Sequence, residues 1–358
     1  MAKRIIVGMS GGVDSSVAAL LLKEQGYDVL GVFMKNWEEK DDSGLCTATQ
    51  DYEDVRAVCD EIGIPYYTVN FTREYWDRVF SHFLEEYQRG RTPNPDVLCN
   101  REIKFRAFLD FAMKNGADGI ATGHFCQLDK TDGRVRLLRG ADSNKDQTYF
   151  LYMLSQEQLR NAMFPVGHLT KAEVRQIARE HGLDTAEKKD STGVCFIGER
   201  NFKKFLSGFL PAQPGDMVTP EGEIVGHHDG LMYYTLGQRK GLGISLGCHA
   251  FVRRINAAEN TVELTTEESR LFRRTIFADD LNWIAIEDLH GPLEVEAKIR
   301  YAHRAAAAVI SPCPIPGTVR VDFMEAQRAP APGQAVVFYR DGSVIGGGTI
   351  LDMEEPIC

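Results

Sequence analysis

The feature that most constrains the fold is an apolar run followed by a turn rich in glycine and serine. The run RIIVGM occupies residues 4–9, SGGVDS follows at 10–15, and an apolar helical pattern starts at once. A strand that turns into a helix through two glycines brings backbone N–H groups, hydroxyls and a helix N-terminus to one point. We therefore predict a phosphate-binding turn. Because the turn lacks the lysine of a Walker A loop, simple hydrolysis of a γ-phosphate is disfavoured.

Strand-like runs alternate with helix-like stretches beyond this turn, which predicts an α/β domain with a doubly wound parallel sheet. A hairpin-like segment, FCQLDKTDGRVRLLRG, follows at 125–140. From about residue 215 onward, short alternating segments separated by Gly, Pro and Asn/Asp turns predict β-rich structure. The expected domains are a catalytic domain at 1–205, a small central domain at 206–276 and a β-rich C-terminal domain at 277–358.

The charge balance argues against a generally basic nucleic-acid binder. The chain carries 41 Lys and Arg residues against 51 Asp and Glu residues, a net charge of −10, whereas neutralisation of phosphates supplies most nucleic-acid affinity. Any RNA-binding role must therefore rest on a local patch. The candidate basic face consists of Arg134, Arg136, Arg139, Lys145, Arg175, Arg179, Lys188, Lys189, Lys203 and Lys204.

The sequence offers no membrane segment and no metal or disulfide framework. No apolar run is long enough to cross a bilayer, and the N-terminal apolar run is too short for a signal peptide, so we expect a cytoplasmic protein. The eight cysteines include no C-x-x-C pair and no Cys/His cluster at zinc-finger spacing, so we expect no metal site built from protein side chains.

Two segments place cysteines in a chemical context. In GRTPNPDVLCNREIKF, a carboxylate, Asp96, lies three residues before a thiol, Cys99, close enough to share one site as acid/base and nucleophile. In KKDSTGVCFIGER, Cys195 lies between two lysines and Arg200, an electropositive setting that lowers the pKa of a thiol. A shift from about 8.5 to about 7 would raise the thiolate fraction from a few per cent to half.

These segments resemble, in order, the motifs of the bacterial tRNA-specific 2-thiouridylases, and the glycine-rich loop resembles that of N-type ATP pyrophosphatases. The matching strings are GMSGGVDSS, FMKNW, TPNPDVLCN, ATGHF, KDQTYFL, STGVCFIGER and YTLGQRKGLG. The resemblance covers nearly the whole chain. It implies an α/β catalytic domain, a small central domain and a C-terminal β-barrel, and thiolation of the wobble uridine of the tRNAs for lysine, glutamate and glutamine.

The resemblance also implies roles for the residues that match its motifs. ATP would lie against Gly8, Met9, Ser10, Gly11, Gly12, Val13, Asp14 and Ser15, with Met34 and Gly123 near the rest of the nucleotide. The target base would meet Asn94, Pro95 and Asp96, with Asp96 as general acid/base. Cys195 would carry sulfur as a persulfide, and Cys99 would be its partner. Contacts to tRNA would come from His124, Lys145, Asp146, Gln147, Arg300, Tyr301 and Gln334.

The implied reaction adenylates the C2 oxygen of uracil with Mg-ATP, after which sulfur replaces AMP. The persulfide on Cys195 could attack C2 directly, or Cys99 could release hydrosulfide that attacks instead, and the sequence does not choose between these routes. The expected protein partner is a sulfur donor, either a cysteine desulfurase or a sulfur-relay protein. Two alternatives are a ligase that activates a small-molecule acceptor and an RNA-binding protein without catalysis.

Overall fold

The structure is a computed structural model that describes residues 2–37, 47–131, 133–189, 202–244 and 247–352. Cys195 therefore lies outside the described residues. The strands are β1 (Arg4–Met9), β2 (Asp28–Lys35), β3 (Tyr66–Asn70), β4 (Gly119–Ala121), β5 (Cys126–Asp129), β6 (Arg136–Arg139), β7 (Ala162–Met163), β8 (Gly215–Val218), β9 (Ile224–His228), β10 (Phe251–Asn256), β11 (Thr261–Thr265), β12 (Phe272–Trp283), β13 (Leu293–Lys298), β14 (Ala306–Pro312), β15 (Val319–Arg328), β16 (Ala335–Arg340) and β17 (Ser343–Ile350).

The helices follow the strands of the catalytic domain. They are α1 (Val13–Glu24), α2 (Thr47–Ile62), α3 (Thr72–Tyr75), α4 (Ser81–Gln88), α5 (Pro95–Leu98), α6 (Phe108–Lys114), α7 (Gln156–Arg160), α8 (Lys171–Glu180) and α9 (Phe202–Ser207). Two π-helical stretches, Trp76–Phe80 and Cys99–Ala107, continue α3 into α4 and α5 into α6. Among the described helices, none combines the length and hydropathy that crossing a membrane requires.

The catalytic domain contains a five-stranded parallel sheet in the order β3-β2-β1-β4-β7. Successive β1 residues face opposite sides: Ile6 packs in a core with Phe108 of α6, whereas Val7 packs in a second core with Val17 of α1. Both faces are thus covered, which explains the nearly continuous apolar strand. The chain runs from β1 outward to β3 and then returns to β4 on the other side, so β1 and β4 flank a switch point where such sheets bind ligands.

The central domain is a small four-stranded sheet in the order β10-β11-β8-β9. Its core is formed by apolar residues from three of these strands, among them Met217, Val252, Val262 and Leu264. These residues alternate with polar ones along β11, where the burial pattern follows the two-residue period of a strand.

The C-terminal domain is a closed six-stranded barrel, which confirms the expected fold class. The order β12-β15-β14-β13-β16-β17 closes because β12 also pairs with β17. The expected boundary between residues 276 and 277 falls inside β12. The predicted hairpin is confirmed as β5 and β6, which pair antiparallel. It extends the barrel sheet, because Leu138 of β6 pairs with Ser343 of β17. The catalytic domain and the barrel therefore share one sheet.

Candidate active site

The predicted phosphate turn connects β1 to α1 directly. Gly12 caps α1 with extended backbone (φ −102°, ψ 161°), and no side chain accepts a hydrogen bond from the first turn at this cap. The Ser15 hydroxyl accepts a hydrogen bond from the Ser10 N–H at 3.2 Å and donates to the Gly12 carbonyl at 3.0 Å. The turn is thus held by its own serines, while the N-terminal dipole of α1 faces the switch point. This arrangement suits an anionic ligand.

Two glycines of this region are required by their surroundings. Gly11 has a φ of +73°, and a Cβ there would lie 2.8 Å from the Asp51 carbonyl oxygen. Gly123 follows β4, and a Cβ there would lie 2.6 Å from the carbonyl carbon of Asp14 and 2.7 Å from the Ser15 nitrogen. The loop after β4 therefore packs directly on the first turn of α1, so the structure brings together two segments that the sequence places far apart.

Gly8 and Met34 also meet, as members of one predicted nucleotide site should. A Cβ on Gly8 would lie 2.9 Å from the Met34 Cε atom and 3.3 Å from the Phe108 ring. Met34 belongs to β2 and Phe108 begins α6, and both cover the same face of the end of β1, the face that packs in the first core.

Two lysines approach the turn from distant elements, a position that the sequence did not indicate for either of them. The Lys171 Nζ atom, on the first turn of α8, lies 2.6 Å from the Asp14 Oδ1 atom. The Lys188 Nζ atom donates to the Gly11 carbonyl at 3.0 Å and to the carboxylates of Asp54 and Asp51 at 2.5 and 3.1 Å. Partial burial opposes the charge of Lys188, but the two carboxylates outweigh it, and its pKa is raised.

The charge of Lys188 was expected to lower the pKa of the Cys195 thiol. Its ammonium instead faces two carboxylates that together outweigh its single charge. Because Cys195 lies outside the described residues, the lowered pKa of its thiol stays a prediction. The partners of Lys188 come from α2, and no sequence signal near residue 188 indicates them.

The segment that carries Asp96 and Cys99 lies at the same edge of the sheet as the phosphate turn. The Phe108 ring lies 3.3 Å from the position that a Cβ on Gly8 would take, near the carboxyl end of β1. The chain after α6 returns to the opposite edge, where the Asp118 N–H donates to the Arg4 carbonyl at 2.8 Å. From Phe108 back to Cys99 the helix therefore extends on the order of 10 Å past the level of Gly8. Asp96 is half-buried there and Cys99 is buried, with 1% of its surface exposed.

The barrel holds the start of this segment. The Gln334 Nε2 atom donates to the carbonyls of Thr92 and Pro93 at 2.8 and 3.1 Å, and the Thr92 N–H donates to the Pro332 carbonyl at 2.9 Å. These bonds fix the backbone directly before Asn94. Gln334, predicted to touch tRNA, is thus bonded to the predicted base-binding loop, and its contact with tRNA stays a prediction.

Comparisons with known proteins agree with the three domains. The family model described as the tRNA methyl transferase HUP domain matches residues 3–199, the model described as the tRNA methyl transferase PRC-barrel domain matches 203–265, and the model described as the aminomethyltransferase beta-barrel domain matches 273–350. The tRNA-specific 2-thiouridylase MnmA of Alkaliphilus oremlandii is 58% identical over 354 residues, covering 98% of this chain and 97% of that protein. The enzyme of the same name from Geobacillus thermodenitrificans is 57% identical over 350 residues, covering 97% and 94%.

The chain belongs to the tRNA-specific 2-thiouridylase family. The resemblance drawn from the sequence motifs is thereby confirmed. Both relatives are named as tRNA-specific 2-thiouridylases. Neither name describes the two alternatives, a ligase of small molecules or a non-catalytic RNA-binding protein.

In this 2-thiouridylase, two predicted tRNA-binding residues of the KDQ string are bonded within the protein. Asp146 is buried, and its carboxylate accepts bonds from the Thr148 hydroxyl at 2.9 Å and the Gly140 N–H at 3.2 Å. The Gln147 side-chain oxygen accepts a bond from the Phe125 N–H at 2.9 Å. Lys145 lies beside them and is half-buried. Their contact with tRNA stays a prediction, and the observed bonds shape the loop that would present it.

The predicted pair Arg300 and Tyr301 lies at the junction of the domains. Arg300 Nη2 donates to the carbonyls of Leu236, in the central domain, and Ala329, in the barrel, at 3.1 and 2.8 Å. The Tyr301 ring lies 4.6 Å from that of Phe150 in the catalytic domain. The pair therefore connects all three domains.

His124 follows Gly123 and is buried beneath the helical stretch that starts at Cys99. Its ring lies 5.8 Å from that of Phe105, and its Nδ1 atom is 2.8 Å from the Thr122 hydroxyl. Burial, reinforced by the positive charge of Lys104, lowers the pKa of His124 well below its usual value. The imidazole is therefore neutral near pH 7, and its contact with tRNA stays a prediction.

Half of the residues of the predicted basic face pair with carboxylates of the protein itself. Arg139 pairs with Glu296 at 2.8 Å, Arg179 pairs with Glu187 at 2.7 Å, and Arg136 and Lys203 pair with Asp129 and Asp229. Arg134 and Arg175 donate to backbone carbonyls. The face is thus weaker in net charge than the sequence suggests. Glu296 and Asp229 are remote in sequence from their partners, whereas Asp129 and Glu187 lie seven and eight residues away.

Replacing Gln334 with alanine is expected to lower the rate of thiolation about 10-fold with little change in tRNA affinity, because the predicted base-binding loop loses its anchor and shifts. Single-turnover thiolation and equilibrium binding of tRNA, measured on the same variant, check this. Gln327→Ala, which changes a half-buried glutamine of β15, is the matched control. A loss of tRNA affinity at an unchanged rate would instead identify Gln334 as a direct contact.

Proposed function

We propose that this protein adenylates the C2 oxygen of the wobble uridine of tRNA with ATP and replaces the activated oxygen by sulfur carried on Cys195. The observation that supports this best is the shared edge: the helix that continues from Asp96 and Cys99 packs on the end of β1 that leads into the phosphate turn, where the Phe108 ring lies 3.3 Å from the position that a Cβ on Gly8 would take. The two halves of the reaction, activation and sulfur transfer, would thus occur in one crevice.

In the first half, the C2 oxygen attacks the α-phosphorus, and the bond to the bridging oxygen breaks. Pyrophosphate leaves with the electron pair, and Asp96 accepts the proton from N3 of uracil. The backbone N–H groups of the turn and the α1 dipole stabilise the charge on the phosphates. Asn94 and Pro95 hold the base.

In the second half, the persulfide sulfur of Cys195 or a released hydrosulfide attacks C2, and AMP leaves. In the direct route, the thiolate of Cys99 then attacks the Cys195 sulfur, which frees the thiouridine and leaves a disulfide that an external thiol must reduce. The uridine must leave the anticodon stack to reach the crevice, which is least costly for a base in a single-stranded loop.

Magnesium fits the chemistry of the site at one residue. Asp14 would hold the ion, because its half-buried carboxylate lies at the turn and Mg²⁺ prefers oxygen ligands shared with substrate phosphates. When bound, the ion would offset phosphate charge. Within the described ranges, no group of three or more His, Cys, Asp or Glu side chains is arranged to hold a metal by itself. We further propose a cytoplasmic enzyme supplied by a cysteine desulfurase or a sulfur-relay protein.

A reconstituted assay tests the proposal. Purified protein is incubated with Mg-ATP, a persulfide source and unmodified tRNA that has a wobble uridine, and the digested nucleosides are analysed by mass. The expected result is 2-thiouridine with AMP and pyrophosphate in equal amounts. Binding of tRNA without consumption of ATP or formation of thiouridine would contradict it.

A further inference from the structure

In the reaction proposed above, no side chain has yet been assigned to stabilise the negative charge on the leaving pyrophosphate. Pyrophosphate gains negative charge as its bond to the α-phosphorus breaks, and enzymes that transfer phosphoryl or adenylyl groups usually direct a cation at that charge. The turn from Ser10 to Ser16 contains no lysine or arginine. A side-chain cation that acts beside the magnesium ion must therefore come from another part of the fold.

Lys171 is placed where that cation is needed. Its Nζ atom lies 2.6 Å from the carboxylate of Asp14, the second residue of α1, and its side chain is 12% exposed. The close approach of Gly123 to Asp14 puts this carboxylate at the junction of β1 and β4, at the mouth of the switch point. An ammonium held there lies beside the backbone N–H groups that would bind phosphate.

The base of the Lys171 side chain is fixed. Thr170 caps α8, its hydroxyl accepting a bond from the Glu173 N–H while the Glu173 carboxylate accepts a bond from the Thr170 N–H at 2.7 Å. The backbone N–H of Lys171 donates to Asp142 at 3.1 Å. On the same helix, Val174 is fully buried in the core that contains α1. The ammonium is therefore preorganised and needs only to turn from Asp14 toward a phosphate.

Lys188 has a different role, although it also reaches the turn. Its ammonium is held by Asp51, Asp54 and the Gly11 carbonyl, so it anchors the far side of the turn to α2. The balance of charge around Lys188 is negative, which disfavours a phosphate there. This comparison singles out Lys171.

We propose that Lys171 binds the leaving pyrophosphate, and that Asp14 holds its ammonium in place before ATP binds. This inference rests on the proposed function. As the α-phosphorus passes from the bridging oxygen to the uridine oxygen, the ammonium stabilises the electron pair that pyrophosphate takes away. No proton is transferred in this step, because the lysine stays charged and acts through its charge alone.

Affinities for three probes test the inference. For Lys171→Gln, we expect the affinities for Mg-ATP and for inorganic pyrophosphate to fall roughly 10- to 100-fold, while the affinity for AMP stays within a factor of about two. Lys171→Arg, which keeps the charge, should recover most of the loss. Lys114→Gln, at the exposed end of α6 near the opposite edge of the sheet, is the matched control.

Each outcome has one meaning. If AMP and ATP weaken equally in Lys171→Gln, or if its melting temperature falls with no selective loss for pyrophosphate, Lys171 only supports α1 and the inference is wrong. Unchanged ATP and pyrophosphate affinities also overturn it. If the wild-type protein binds neither ATP nor pyrophosphate, the proposed function itself fails, and that result is seen before any variant is compared.

Discussion

Replacing Cys195 with alanine is expected to abolish formation of 2-thiouridine, a loss of roughly 10³-fold or more, while pyrophosphate release continues. The physical reason is the order of the steps in the proposed function, in which adenylation needs the phosphate turn and Asp96, whereas sulfur enters only afterwards through Cys195. The activated base then has only water as a nucleophile and returns to uridine. Nucleoside mass analysis and pyrophosphate release, measured together, check this.

The control for Cys195→Ala is Cys248→Ala, which removes an exposed cysteine of the central domain. It should thiolate at the wild-type rate. Wild-type levels of thiouridine from Cys195→Ala would show that Cys195 does not carry the sulfur.

Cys99→Ala then separates the two sulfur-transfer routes. In direct attack, the tRNA remains joined to Cys195 through a disulfide linkage that dithiothreitol cleaves to give 2-thiouridine; in the hydrosulfide route, no such adduct forms. Cys59→Ala is a control for loss of a buried thiol, because burial, with the charge of Asp60, raises the pKa of Cys59 to about 12 and keeps it inert.

The second large effect is expected for Gly123→Ala, which should weaken ATP binding roughly 10- to 100-fold. The added Cβ would lie 2.6 and 2.7 Å from backbone atoms of Asp14 and Ser15. Backbone cannot rotate away as a side chain can, so either the first turn of α1 or the loop after β4 must move. Equilibrium titration with ATP checks this.

A matched glycine makes the result specific. Gly291 has an ordinary φ, and a Cβ added there would meet no atom within 4 Å, so Gly291→Ala should bind ATP as the wild type does. Wild-type ATP affinity in Gly123→Ala would show that the nucleotide does not depend on the contact between the turn and the β4 loop. A fall in the melting temperature of Gly123→Ala is expected as well and is measured in parallel.

Local physical chemistry determined much of this protein from its sequence. The strand-turn-helix at residues 4–24 follows from apolar periodicity and from glycines at the turn, both of which act over a few residues. The hairpin of β5 and β6 and the β-rich C-terminal third follow from the same kind of pattern. The order of the motifs was enough to indicate the family, which the relatives confirm.

Only the tertiary structure decided which distant residues complete the site. Lys171 reaches Asp14, Lys188 reaches Gly11 and Gln334 reaches Thr92 across separations of 157, 177 and 242 residues. These three long-range hydrogen bonds depend on the strand order of the sheet and on the closure of the barrel. The spacing of residues along the sequence does not predict them. The basic face was overestimated for the same reason: a sequence shows the charge of Arg139, but only the fold shows that Glu296 neutralises it.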